Sequence, residues 1–196
     1  MSIPTGAFVV ADVAANPTSP DDLGRTDKLI DYERGGIALN DPGQGLNVLN
    51  WRVQVIGDEV RVSPEPYSSD TLLFSGAEIT EASLAFDQNM RPVVAYVQAG
   101  VTKLWWYDSS IPGQTVTTYS NSRSPFLTMD DKREIGGGQN DILMFYLKGT
   151  ADLYYRRQRD RYNTEFFVCT FARPINQITR VGLGRGLRLQ IEVESS

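Results

Sequence analysis

The chain has 196 residues, 41% of them hydrophobic and 22% charged, enough for one large all-β domain or two small ones. That composition excludes a disordered chain and supplies a core of useful size. With no histidine, one cysteine and a formal net charge of −5, it also excludes a Ser-His-Asp triad, a Cys-His pair, an ordinary zinc site and an intramolecular disulfide.

The charge is unevenly placed. Residues 1–90 hold 5 basic and 14 acidic residues, a net −9, whereas residues 150–196 are net +3. An acidic first half and a mildly basic tail argue against general nucleic-acid binding. They permit head-to-tail association, with opposite patches meeting; a solvated surface with chance asymmetry explains them as well. No stretch has the length and apolarity of a bilayer-spanning helix. The segment MSIPTGAFVVADVAANPTSPDD lacks the positive flank of a secretory signal, so the expectation is a protein made and assembled in the cytoplasm.

Along the chain, residues 1–35 read as an N-terminal extended arm. Within it, Ser19 to Glu33 offers a helical turn or two, with Ser19 as cap and Pro20 first. Extended chain is the equal alternative, because Asn16, Pro17 and Gly24 interrupt the segment. Residues 36–196 read as one all-β domain. VLNWRVQVIGDEVRVSP alternates apolar and polar residues around Gly57-Asp58, the pattern of a hairpin with one dry face. Short runs rich in β-branched and aromatic residues follow: VVAYV (Val93 to Val97), KLWWY (Lys103 to Tyr107), TVTTY (Thr115 to Tyr119), ILMFYL (Ile142 to Leu147), DLYYR (Asp152 to Arg156) and EFFVCTF (Glu165 to Phe171). Cys169, inside the last run, reads as a small core residue. ITRVGLGRGLRLQIEV repeats the hairpin pattern around Gly184. No segment sustains a 3.6-residue apolar period.

Two stretches echo each other, near 83–120 and 125–170. Phe86-Asp87 matches Met129-Asp130, Val93 to Tyr96 matches Leu143 to Tyr146, and Leu104-Trp105-Trp106 matches Leu153-Tyr154-Tyr155. Each unit reads strand, acidic turn, apolar strand, Gly turn, aromatic strand, loop, outer strand. A third unit, from GIALNDPGQGL to SPEP, fits more loosely. A four-stranded unit of this length is the signature of a propeller-type blade. The predicted fold is therefore all-β: antiparallel sheets in two to three blade-like four-stranded repeats, as a partial propeller or a sandwich. Two or three blades do not close a ring, and uncovered edge strands invite pairing with another chain. An oligomer or an assembly partner is expected.

Catalytic and ligand motifs fail one by one. Asp87 and Asp130 fall at matching turn positions, where Asp bonds its own backbone. GGGQND lacks the Gly-Lys-Ser/Thr ending of a phosphate loop, and VGLGRGL lacks dinucleotide spacing. DDKRE reads as a solvated turn. No catalytic residue, cofactor or metal site is expected. The interface candidates are Trp105, Trp106, Tyr154 and Tyr155, plus Arg157, Arg159 and Arg161 of the basic run RRQRDR. In each aromatic pair one side chain points inward and the other outward. Sheet packing is the preferred role, with sugar stacking or subunit anchoring open to the outward member. The three arginines, on alternate positions, suit an acidic partner surface; the other reading is an exposed strand end with Asp160 as counter-charge.

The blocks ALNDPGQGL, AFDQNMRPVVAYV, KLWWYD, LTMDDKRE and DLYYRRQRDRYNTEF together resemble structural proteins of tailed bacteriophages, from the neck, tail or fibre-attachment region. The likeness runs from about Ile37 onward. It implies a non-enzymatic virion subunit in several copies, a homo-oligomer around the tail axis, contacting other virion structural proteins and neither membrane nor nucleic acid. It implies a location in the virion after assembly in the host cytoplasm, and it leaves the first thirty-odd residues as an arm that docks on a neighbouring protein. A host-surface glycan-binding module, using an outward Trp106 or Tyr155, is the alternative; a glycan-cleaving tail enzyme is the third.

Overall fold

A computed structural model describes residues 36–39, 48–64, 70–87, 91–108, 110–130, 141–183 and 189–195. The expected arm, residues 1–35, lies outside the described residues, as do GGGQND up to Asn140 and Gly184.

The described chain is all β apart from one 3-10 turn, and every paired strand is antiparallel. The first sheet is a meander of β1 (Gly36–Leu39), β2 (Val48–Ile56), β3 (Glu59–Pro64) and β4 (Thr71–Ser75). The second takes β5 (Ile79–Phe86), β6 (Pro92–Gln98), β7 (Val101–Tyr107) and β8 (Gln114–Tyr119). The third takes β9 (Arg123–Asp130), β10 (Asp141–Lys148), β11 (Asp152–Arg157) and β12 (Phe166–Thr170). The fourth has two strands, β13 (Ile175–Leu183) and β14 (Leu189–Ser195). Among the described residues no sheet closes on itself, an arrangement of antiparallel sheets compatible with the partial propeller or sandwich that the repeat predicts.

Turn chemistry sets this hairpin-by-hairpin register. β6 and β7 are joined by Ala99-Gly100, both at positive φ (50° and 73°). Two left-handed residues are what a tight hairpin of right-twisted strands requires. Gly57, at φ 60°, serves the β2–β3 hairpin in the same way.

The sheets stack in sequence order, and the contacts between them concentrate on their inner strands: β1 and β2 on β5, β5 and β6 on β9, β9 and β10 on β13. Three apolar cores fill the gaps. Val53, Val60, Val62, Leu84, Val94 and Trp105 lie between the first and second sheets. Leu104, Trp106, Leu127, Met144, Tyr146 and Tyr162 lie between the second and third. Phe126, Phe145, Leu147, Leu153, Ile178 and Val181 lie between the third and fourth. The second and third sheets are thus covered on both faces, which explains why β6 (PVVAYVQ) and β10 (DILMFYLK) are near-continuous apolar runs.

Neighbouring inner strands are not ladder partners, so their buried backbone donors need other acceptors. Two serines supply them. Ser83 Oγ on β5 accepts from the Leu127 N–H of β9 at 2.9 Å. Ser124 Oγ on β9 accepts from the Ile178 N–H of β13 at 2.8 Å. Both serines are buried. Ser124 lies at φ 50°, where the β9–β10 register shifts; this bulge turns its hydroxyl toward the next sheet. Arg123 adds a bracket, its guanidinium donating to the carbonyls of Ile175 (2.7 Å), Asn176 (2.6 Å) and Gly149 (3.1 Å).

Ser83→Ala and Ser124→Ala each remove the side-chain acceptor of a buried N–H, and each is expected to cost about 1–3 kcal/mol. Urea-unfolding midpoints check this; an unchanged midpoint for both variants removes the seam from the account.

Candidate interaction surface

The aromatic pairs take up the repeat in three dimensions. Trp105 faces the first sheet, 5.5 Å from the Phe74 ring and 5.6 Å from Tyr107. Trp106 faces the third, edge-on to Tyr162 at 5.1 Å, with its indole N–H donating to Thr117 Oγ1 at 3.2 Å. In the next repeat Tyr154 faces back toward the second sheet and packs on Tyr146. Tyr155 faces forward, stacked on Phe166 at 4.9 Å. The pairs do point to opposite faces. Both tryptophans are nonetheless buried, because the second sheet has a neighbour on each side. Trp106 has no open ring face, and Tyr154 and Tyr155 are half-buried.

The three arginines lie at the surface, each paired with a carboxylate of the same chain. Arg157 ends β11 and pairs with Asp160 of the 3-10 turn Gln158–Asp160. Arg159 donates its backbone N–H and its Nε to the two oxygens of buried Asp141, at 2.9 and 2.7 Å. Arg161 reaches buried Asp108 at the end of β7. The run therefore fastens the third sheet's loop onto the second sheet. The loop closes on Tyr162, fully buried; Arg161 and Tyr162 are both at positive φ (54° and 55°), a conformation non-glycine residues adopt at a cost. Asp160 is a counter-charge to Arg157, the role that the exposed-strand-end reading gives it.

Beside this loop Arg156 gathers a second cluster. Its guanidinium donates to the carbonyls of Tyr162 (2.9 Å) and Asn163 (2.7 Å), to the Tyr146 hydroxyl (3.0 Å) and to Glu165 (3.1 Å), and lies 4.8 Å from the Tyr119 ring. Glu165 also accepts from Lys148 and from the Tyr146 hydroxyl. Burial acts to raise the Glu165 carboxyl; the hydrogen bonds from Lys148 and Tyr146 and the two nearby cations outweigh it and hold the group below its ordinary value. Asp108 is lowered by the same balance: burial opposes, and hydrogen bonds from Ser110 and Arg161 prevail. Burial pushes the Tyr119 phenol up to about 12 and raises those of Tyr146 and Tyr162 above the ordinary value as well. Asp87 is a turn residue, as the repeat suggests: buried, it accepts from the backbone N–H and Nε of Arg91 at 2.9 and 2.8 Å. Among the described residues no cluster of three or more His, Cys, Asp or Glu could hold a metal ion.

What stays open is the outer rim. β4, β8 and β12 are the edge strands farthest from the inner seam, and no described strand pairs with their far sides. Val116 of β8 is 50% exposed and Phe167 of β12 is 58% exposed. They hold the same place in successive repeats, since Val116 pairs across the ladder with Trp105 and Phe167 with Tyr154. Leu72 on β4 (47%), Val168 beside Phe167, and Ile111 in the bend before β8 are exposed as well. The apolar run EFFVCTF is thus an edge strand with one side in water. Cys169, expected in the core, is only half-buried at the margin of the third core, because the two-stranded fourth sheet covers the inner half of its neighbour.

Comparison with known proteins finds no matching family model, no matching curated protein and no matching solved structure.

The lowered carboxyls set a pH dependence. A group whose pKa is depressed on folding stabilises the fold above its unfolded value and loses that contribution as pH falls through the folded one. The urea midpoint is expected to hold down to the ordinary carboxyl values of 4.5 for Glu165 and 3.8 for Asp108, then to fall below them. Glu165→Gln and Arg161→Gln should each flatten that fall.

Proposed function

We propose that the protein is a non-enzymatic structural subunit of a tailed-phage particle, built to join neighbouring subunits through the outer edges of its sheets. One observation carries the reading: a large apolar side chain recurs, solvent-exposed, at the equivalent position of two unpaired edge strands, Val116 and Phe167. Edge strands offer unpaired N–H and C=O groups, and soluble proteins ordinarily blunt them with charge, proline or short length. β8 carries no charged residue and β12 none either. An edge that is both unpaired and apolar suits strand addition or apolar docking by another polypeptide.

The polar groups support the same reading by what they are engaged in. Asp87, Asp108, Asp141 and Glu165 bond to arginine or lysine within the chain, so the buried carboxylates serve the fold. Placement in a virion, in the neck, tail or fibre-attachment region, rests on the resemblance of the sequence blocks. In that setting the partners are copies of this chain and other virion proteins; cofactor, membrane and nucleic acid play no part.

Two measurements test the proposal. Val116→Lys and Phe167→Lys, both at exposed sites, are expected to leave the urea midpoint within about 0.5 kcal/mol of the parent and to abolish association in light scattering after gel filtration. Mass spectrometry of purified particles is expected to find the chain in several copies. A parent that stays monomeric at all concentrations and is absent from particles sinks the proposal.

A further inference from the structure

We infer that Arg161 and Tyr162 form a clasp between the second and third sheets, one that opens on its own while the sheets stay stacked. The 3-10 turn Gln158–Asp160 belongs to the third sheet, tied by Arg157 to Asp160 and by Arg159 to Asp141 of β10. The next two residues leave that sheet. Arg161 crosses to Asp108 at the end of β7, and the Tyr162 ring enters the core between the sheets, edge-on to Trp106 at 5.1 Å. The β11–β12 ladder, the third core and the Ser83–Leu127 seam involve neither residue.

Three features set this crossing apart from ordinary packing. Arg161 and Tyr162 are consecutive non-glycine residues at positive φ, a conformation that persists only where the surroundings impose it. The Tyr162 hydroxyl is buried and makes no hydrogen bond among the described residues, so water suits it better than the core does. The Arg161 side chain is 52% exposed, and an ion pair so open to water holds little. Opening leaves Asp108 partnered, because its carboxylate also accepts from the backbone N–H and the hydroxyl of Ser110. Burial of the Tyr162 ring, with the Arg156 bonds to the Tyr162 and Asn163 carbonyls, keeps the clasp shut. Backbone strain and an unpaired hydroxyl oppose them, so the closed form is favoured by a narrow margin. The open form relaxes both residues, wets the phenol and uncovers the edge of Trp106. That aromatic surface is therefore shown to a neighbouring molecule only on release, by local opening of one loop.

The test is amide hydrogen exchange of the full chain, followed by NMR at rising urea below the unfolding transition. The N–H groups of Arg161, Tyr162 and Asn163 donate to the carbonyls of Gln158, Arg157 and Asp160. They are expected to exchange at rates independent of urea, about a hundredfold faster than the Met144 and Tyr146 amides of β10, which open only with the whole fold. Two variants should move that rate in opposite directions. Arg161→Gln removes the ion pair and is expected to speed exchange about threefold. Tyr162→Phe keeps the ring, deletes the unpaired hydroxyl and is expected to slow exchange about tenfold without lowering the urea midpoint. Exchange of these amides only through global unfolding overturns the inference, as does a Tyr162→Phe variant that speeds exchange or lowers the midpoint. Exchange at the rate of unprotected amides overturns it too, since the loop is then never closed.

Discussion

The fold depends on bringing the inner strands of successive sheets together while satisfying their backbone. Face-to-face packing buries strand edges that no ladder serves, and each orphaned N–H there costs about as much as a lost hydrogen bond. Ser83 and Ser124 answer this at two consecutive seams with the same device, a side-chain oxygen accepting from the next sheet's inner strand. Every larger interaction, from the Trp106–Tyr162 contact to the arginine loop, presupposes that this approach is achieved.

The aromatic doublets follow from the same stacking. A sheet with neighbours on both sides must present apolar bulk on both faces, and adjacent residues of a strand point to opposite faces. Trp105-Trp106 and Tyr154-Tyr155 therefore fill two cores each with a single dipeptide. Val116 and Phe167 are among several large apolar side chains left exposed, with Ile56, Leu72, Ile111 and Val168; what distinguishes them is their matching place in successive repeats.

Much of the architecture is legible in the sequence. β-Branched and aromatic runs between Gly, Asn and Asp turns mark the strands, and the Leu104-Trp105-Trp106 to Leu153-Tyr154-Tyr155 match reports a real equivalence of faces. Other features leave no local trace. Aligning the repeats on Phe86 and Met129 places Ser83 opposite Phe126; the seam serine is Ser124, displaced by a bulge that sequence similarity does not reveal. The partners of the basic run were readable only at short range. Asp160 is three residues from Arg157, but Asp141 and Asp108 lie 18 and 53 residues from the arginines they hold. An apolar run such as FFVCT reads as core by composition, and only its terminal place in the strand order of the third sheet tells that it is an edge.

The linear order of the cores has a mechanical consequence. Each sheet is fastened to the next by a core of its own, so the assembly behaves as a short nearest-neighbour array. Loosening should begin where a sheet has one neighbour and few strands, at β13 and β14, and stop at the Arg123 bracket before it reaches Trp106. A load applied along the stack would peel the molecule by whole sheets, in steps, with the doubly covered pair in the middle the last to yield.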